Sequence, residues 1–249
     1  MKRILGVALL VVAMHAHAGS SCAQFSPNGL EPVLTNQKLA PKARELCFSD
    51  FAVLHSGITR TPLWSAEHLT REHLLAAKEE VRTNRFYAEP ALPADERAEL
   101  SDYLHSGFDR GHQAPAGDRW TDASMSESFS LANMAPENPS HNRRLWAHIE
   151  MAVRKMALSA GEAYVTTGPL FIGSQLSTIG PDHVFVPTAL YKVVYIPSQQ
   201  LAFAVVAENV ATNHYDVKTV HELEALSGIS FPGIPAGLKD RRIGGLNGV

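Results

Sequence analysis

Apolar residues recur along this chain at two spacings, one helical and one alternating or continuous, and each spacing marks a kind of element. Helical spacing is clearest over residues 141–160, where Leu145, Trp146, Ile149, Val153, Met156 and Ala157 share a face. Gly161 ends that run, since glycine takes the left-handed conformation of a helix stop at no steric cost. A shorter helix is expected over 217–226. Asp122, near the positive end of a first turn, marks another start over 121–126. Residues 95–104 carry helix-forming content, with Glu96, Arg97, Ala98 and Glu99 ahead of Leu100. Strand-like runs cover 48–56, the neighbourhood of Trp64 and Ala66, 129–134, 163–167, 184–195 and 201–206. Gly168 and Pro169 are read as the stop of the 163–167 run, and Pro197 and Ser198 as the turn between the last two. Residues 67–81 fit a helix or an extended pairing, and a turn is expected around Pro90 and Pro93. Strand clusters beside separate helices predict an α+β fold.

The first residues follow a different pattern. Lys2 and Arg3 precede an apolar run over 4–14 that is too short to span a membrane, and Ala16, His17 and Ala18 form a small-x-small cleavage pattern. Residues 1–18 therefore read as a signal peptide, with the cut before Gly19 and the mature protein periplasmic or secreted. Lipidation at Cys22 is disfavoured, because Ser20 and Ser21 precede it without a leucine three residues upstream. No stable membrane association is expected after the signal is removed. Residues 19–47 read as an irregular N-terminal arm rich in Pro, Asn and Ser, and 48–249 as one domain.

Composition narrows the options. The formal charge is −3, and losing Lys2 and Arg3 with the signal takes it to −5. Bulk charge therefore cannot hold nucleic acid, and any phosphate site must be local. Arg110, Arg119, Arg143, Arg144 and Arg154 supply one cluster for it. Cys22 and Cys47 are the only cysteines. An oxidising compartment favours a disulfide between them over two free thiols, and two cysteines cannot build a cysteine-rich zinc site.

The chemistry concentrates in Asp109, Arg110, Gly111 and His112, and in the helix that follows about thirty residues later. Histidine is suited to take a proton near neutral pH. Asn142 offers a hard neutral oxygen acceptable to magnesium or calcium, and arginines present a fixed fork of donors to phosphate. Asn142, Trp146, Glu150 and Arg154 are spaced four apart, so on a helix they drift about 40° per step and form one slanting stripe roughly 18 Å long. The plainer reading of the same residues is a cap, a core tryptophan and a surface Glu150–Arg154 pair worth a few tenths of a kcal/mol. Neither His-Glu-x-x-His nor Gly-x-Ser-x-Gly occurs, which argues against a zinc peptidase and a serine hydrolase.

Taken together, segment 108–115 (Phe-Asp-Arg-Gly-His-Gln-Ala-Pro), segment 129–137 (Phe-Ser-Leu-Ala-Asn-Met-Ala-Pro-Glu) and the Asn142, Trp146, Glu150, Arg154 stripe resemble the DNA/RNA non-specific endonucleases of the ββα-metal, or His-Me finger, class. That class includes secreted bacterial nucleases and mitochondrial endonuclease G. Segments 167–171, 186–194 and 217–231 resemble later parts of the family, so the likeness runs over about 48–232. The resemblance implies a central, mainly antiparallel sheet flanked by helices. It implies hydrolysis of DNA and RNA to 5′-phosphate ends, with Mg²⁺ as cofactor and Mn²⁺ as a substitute. It implies His112 as general base, Asn142 as the direct metal ligand, and Glu150 as holder of the metal's hydration shell. Asn133 would position His112 or the metal's surroundings, and Arg110 and Arg154 would neutralise the scissile phosphate. The family's upstream arginine falls near segment 86–90 (Phe-Tyr-Ala-Glu-Pro), where Arg82 and Arg85 compete for the role. Arg143 and Arg144 stand where small or amide residues are common in relatives. The alternative is a catalytically inactive nucleic-acid-binding relative, which would be expected to lack His112, Asn142 or Glu150.

Overall fold

The apolar runs assemble into a seven-stranded sheet that is buried on both faces. The computed structural model describes residues 22–246, so the signal segment expected over 1–18 lies outside the described residues. In chain order the first strands are β1 (Val33–Leu34), β2 (Ala43–Cys47), β3 (Ala52–Ser56), β4 (Thr61–Thr70), β5 (Asp109–His112), β6 (Met134–Glu137) and β7 (Glu162–Leu170). They are followed by β8 (Thr178–Ile179), β9 (Val184–Phe185), β10 (Ala189–Ile196), β11 (Leu201–Glu208), β12 (Asp216–Lys218) and β13 (Ile229–Ser230). The α-helices are α1 (Arg71–Ala76), α2 (Leu100–Tyr103), α3 (Asp122–Ser128), α4 (Ala147–Ala160) and α5 (Val220–Ser227). The main sheet runs β12-β11-β10-β7-β4-β3-β2, with every neighbouring pair antiparallel. β5 pairs with β6 in a separate two-stranded unit, as do β1 with β13 and β8 with β9. No described helix is long and apolar enough to cross a membrane.

Successive side chains of a strand point to opposite faces. One face, with Trp64, Ala66, Tyr191, Val193 and Ala204, packs against Val220 and Leu223 of α5 and against Phe25. The other, with Leu69, Val165, Leu190, Val194, Phe203 and Val205, packs beneath Trp146, Ile149, Val153 and Ala157. Cover on both sides explains why β10 reads as a continuous apolar run, and every one of its residues is buried. Burying Trp146, Ile149 and Val153 contributes roughly 1.5–3 kcal/mol per side chain. That outweighs any surface ion pair on the helix.

The expected α+β class and antiparallel sheet describe the molecule, but several boundaries differ. Residues 43–47, expected within an irregular arm, form the edge strand β2, paired from Ala43↔Ser56 to Cys47↔Ala52. Its side chains are mostly exposed, so it leaves no hydrophobic signal. Residues 67–81 divide into the end of β4 and helix α1, with the Thr70 side chain accepting from His73 N at 3.2 Å. Of 95–104 only Leu100–Tyr103 is helical. Of the run 129–134 only Met134 is in a strand: a 3₁₀ turn over Leu131–Asn133 precedes β6, which begins there. β7 continues through Gly168 and Pro169 to Leu170. Its pairing with β4 reaches only to Thr167, so Pro169 faces no ladder on that side and is tolerated as on an edge. A Cβ at Gly168 would meet Leu63 O at 2.3 Å, so the strand passes there only as glycine. The run 184–195 divides into β9 and β10, and the last helix begins at Val220, capped by Thr219, after the short β12. Cys22 and Cys47 form a disulfide that closes a 25-residue separation and fastens the arm to β2.

Candidate active site

β5, β6 and the start of α4 build one unit above the sheet. The β5–β6 pairing sets Asp109 opposite Glu137, Arg110 opposite Pro136, Gly111 opposite Ala135 and His112 opposite Met134. A Cβ on Gly111 would lie 2.0 Å from Glu137 Oε1, so glycine is required where the buried carboxyl crosses beneath β5. Asn138 then starts the helix, its Oδ1 accepting from Ser140 N (3.0 Å) and His141 N (3.3 Å). The helix expected over 141–160 begins with a wide π-helical turn over His141–Trp146 before α4. π-Type turns often occur at functional sites because they redirect side chains out of register.

A groove of about 350 Å³ lies along this unit, lined by Arg82, Arg110 and His112 on one side and by Asn142, Glu150 and Arg154 on the helix. Pro115, Ala116 and Gly117 form one end of its wall. His112 is buried between two aromatic rings, Phe129 edge-on at 5.0 Å and Phe86 at 5.8 Å between centroids. Its Nε2 is buried and has no hydrogen-bond partner in the protein. Burial first, then the charges of Arg82 and Arg119, push its pKa down to about 3, so the imidazole is neutral and free to accept a proton.

Asn142 donates through Nδ2 to Asp109 Oδ2 at 3.0 Å, which leaves its carbonyl oxygen as the free end. Asp109 also accepts from Arg143, Oδ2 from Nε at 2.7 Å and Oδ1 from Nη2 at 2.6 Å. Glu150 makes no hydrogen bond or ion pair with any described residue. Burial pushes its carboxyl up to about 8. Lys192 and Arg154 oppose that rise, while Asp118 and Glu137 add to it. The surface Glu150–Arg154 pair of the plainer reading does not form. Arg154 Nε instead donates to buried Asp118 Oδ1 at 2.5 Å. Gly117 keeps room for this guanidinium, since a Cβ there would lie 3.0 Å from its terminal nitrogen. Arg110 stacks its guanidinium carbon 4.3 Å from the Phe86 ring centroid.

Other expected residues are placed differently. Asn133 does not line the groove, and its amide is fully bonded elsewhere. Oδ1 accepts from Ala114 N (2.9 Å) and Ser65 Oγ (3.0 Å), and Nδ2 donates to Ala114 O (2.9 Å) and Ser128 O (3.0 Å). It anchors the chain two residues after His112 to the sheet, as a positioning residue with nothing left to offer a metal. Arg82 lines the groove, whereas the exposed Arg85 does not. Arg119, grouped with the phosphate-facing arginines by sequence, is wholly buried. It donates to Pro115 O (3.2 Å), Asp50 O (2.8 Å) and the Glu67 carboxylate, and so pins the loop that follows His112. Arg143 also lines the groove, with its Nε and Nη2 engaged by Asp109, and Arg144 is exposed outside the groove lining.

Three buried charges around the site escaped the sequence reading: Glu67, Asp118 and Lys192. Glu67 and Lys192 had one faint signal, a charge inside an otherwise apolar stretch, which is costly unless partnered; Asp118, in a turn-like segment, had none. The groove suits a hydrated hard cation. Among the described residues the one group of three His, Cys, Asp or Glu ligand atoms is Cys22, Glu31 and Glu45, remote in sequence from the groove, and Cys22 is in the disulfide. The groove therefore offers one amide oxygen and one unpaired carboxyl in place of a carboxylate cage, which fits an ion that keeps most of its water.

Comparison with known proteins agrees with this geometry. Residues 31–234 match the family profile described as DNA/RNA non-specific endonuclease. The chain is 32% identical over 200 residues to Nuclease C1 of Cunninghamella echinulata var. echinulata, an overlap covering 73% of this chain and 79% of that relative. It is 30% identical over 243 residues to mitochondrial Endonuclease G of Bos taurus, covering 90% and 81%. The match to mitochondrial Nuclease EXOG of Danio rerio is 38% identical but spans 54% of this chain and 42% of that longer protein. A crystal structure of an EndoG/EndoGI complex superposes with a TM-score of 0.72 at 28% identity, covering 79% of this chain and 88% of that one.

Proposed function

Because the chain belongs to the DNA/RNA non-specific endonuclease family, we propose that it hydrolyses phosphodiester bonds of both DNA and RNA with little sequence preference, using Mg²⁺ and leaving 5′-phosphate ends. The observation that carries this reading is His112, its ring without a hydrogen-bond partner at Nε2, lining one groove with Asn142, Glu150 and four arginines. Arg82, Arg110 and Arg154 would hold the phosphate, and contact through phosphate in place of base edges accounts for low sequence selectivity. A water in line with phosphorus gives its proton to the neutral imidazole of His112 as its oxygen attacks. The bond from phosphorus to O3′ breaks, and the 3′-oxygen leaves with the electron pair and takes a proton from solvent. The phosphodiester's own negative charge favours the imidazolium that forms and offsets the burial that otherwise disfavours it. Asn142 Oδ1 would hold the cation and the Glu150 carboxylate would face its hydration shell. A bound divalent ion, Mg²⁺ or in its place Mn²⁺, supplies charge stabilisation at the phosphoryl and leaving oxygens. A binding-only relative has no use for His112, Asn142 and Glu150 together, and all three line one groove.

The protein is proposed to be exported, to the periplasm or beyond. The basic start, apolar run and small-x-small pattern of residues 1–18 support this, as does the Cys22–Cys47 disulfide. The test of the activity is incubation of the mature protein with supercoiled plasmid and with a structured RNA, in Mg²⁺ and in excess EDTA. Degradation of both substrates, lost in EDTA, is expected. A folded protein that leaves both intact in Mg²⁺ would contradict the proposal.

A further inference from the structure

Glu137 closes β6 and is wholly buried. Its two carboxyl oxygens serve two different segments of the groove. Oε1 accepts from Gln113 Nε2 at 3.3 Å, and Oε2 accepts from His141 Nδ1, also at 3.3 Å. The same carboxyl fills the space that a Cβ on Gly111 would take. It therefore touches the residue on each side of His112 and the residue before Asn142.

Both partners depend on this carboxyl. His141 is wholly buried, its ring stacks on Trp146 at 5.4 Å between centroids, and its Nε2 has no hydrogen-bond partner in the protein. Gln113 is wholly buried too, and its Oε1 has no partner. Its other bond, from Nε2 to Gly111 O at 3.4 Å, stays within its own segment. A buried acid bonded to an imidazole is a poor source of stability, because desolvation can exceed the attraction gained. What the arrangement supplies is fixed geometry. Asp109 already ties β5 to Asn142 and Arg143 on the more exposed side. Glu137 is the inner tie, with no exposed side-chain surface.

We propose that Glu137 is a positioning residue for hydrolysis, a buried clamp that holds the His112 segment and the Asn142 turn at one separation. The inference rests on the nuclease reading for its purpose but not for its first test, which needs neither metal nor substrate. Amide hydrogen exchange is followed by NMR in wild type, Glu137→Ala and Glu137→Gln. The amide of Gln113, bonded to Asn133 O, reports one segment, and that of Asn142, bonded to Asn138 O, reports the other. The amides of β10 and β11 report global opening. In Glu137→Ala both reporters should exchange about tenfold faster or more relative to β10 and β11, because losing a shared buried acceptor opens both segments locally. Glu137→Met serves the same purpose should the alanine variant not fold. Glu137→Gln can accept from Gln113 through its oxygen and donate to His141 Nδ1 through its amide, so it should stay near wild type. A rise at only one reporter, or one no larger than that of the sheet, would overturn the proposal. In cleavage assays kcat should fall about tenfold or more in Glu137→Ala, the effect of displaced reacting groups, and recover in Glu137→Gln. KM should stay within about twofold, since uniform substrate binding is untouched. A raised KM at unchanged kcat would contradict the clamp. The exchange result decides the clamp whether or not the protein cleaves.

Discussion

His112 and Glu150 face one groove but titrate in opposite directions, because burial disfavours the charged form of each. His112 falls to about 3 and is neutral throughout the working range. Glu150 rises to about 8 in the metal-free protein. The same shift bears on stability. A group whose folded pKa is raised stabilises the fold fully below its unfolded value, and this contribution is lost as pH rises through the folded value. For metal-free protein that window runs from ordinary glutamate pKa values up to about 8. Glu150→Gln should remove this dependence and, at alkaline pH, leave the metal-free protein more stable by on the order of 1–3 kcal/mol. Urea melts at acidic and alkaline pH read this directly, and parallel pH curves for wild type and variant would refute it. The identities of these two residues were legible from their chemical types and spacing. Their surroundings were not, because Phe86, Phe129, Asp118 and Lys192 come from four separate segments that only the fold brings together.

At the scale of elements, the site depends on how closely β5 crosses β6. Glu137 Oε1 occupies the space a side chain at position 111 would need. Gly111→Ala must displace a buried, hydrogen-bonded carboxyl or bend β5. It is expected to cost about 1–3 kcal/mol, as overpacking does, and to lower the cleavage rate at least tenfold by moving His112 and Asp109. Thermal unfolding with activity measured on the same sample checks both parts, and a variant with wild-type rate and stability would show that the crossing has slack. The long helix, α5 and the β10–β11 hairpin were readable because each buries a continuous apolar face. The exposed edge strand β2 and the passage of β7 through Pro169 were not. Pairing partners decide both, and single-strand hydrophobicity carries no record of partners. The π-helical turn that presents Asn142 left no sequence signal either.

Over the whole molecule, a chain of formal charge −3 concentrates Arg82, Arg110, Arg143 and Arg154 in one groove while burying Arg119. Composition pointed to a local cluster but could not sort its members, since an arginine that pins a loop and one that lines a groove look alike in sequence. The Cys22–Cys47 bond ties the arm to an edge of the sheet that carries this site on one face. Reducing it should lower stability by roughly 2–4 kcal/mol with little change in cleavage rate, read as a shift in urea midpoint with and without reductant. Two alkylatable thiols in the native exported protein would contradict both the bond and the proposed compartment.

In the proposed reaction a neutral, unpartnered imidazole drives hydrolysis in this groove. The most direct test is the single-turnover cleavage rate of His112→Ala beside wild type in Mg²⁺, with circular dichroism and DNA binding shown to match. A fall of roughly 10²–10⁴ or more is expected, the loss typical of removing a positioned base, with binding retained. Cleavage at the wild-type rate would show that the proton goes elsewhere and that the groove's chemistry has been misassigned.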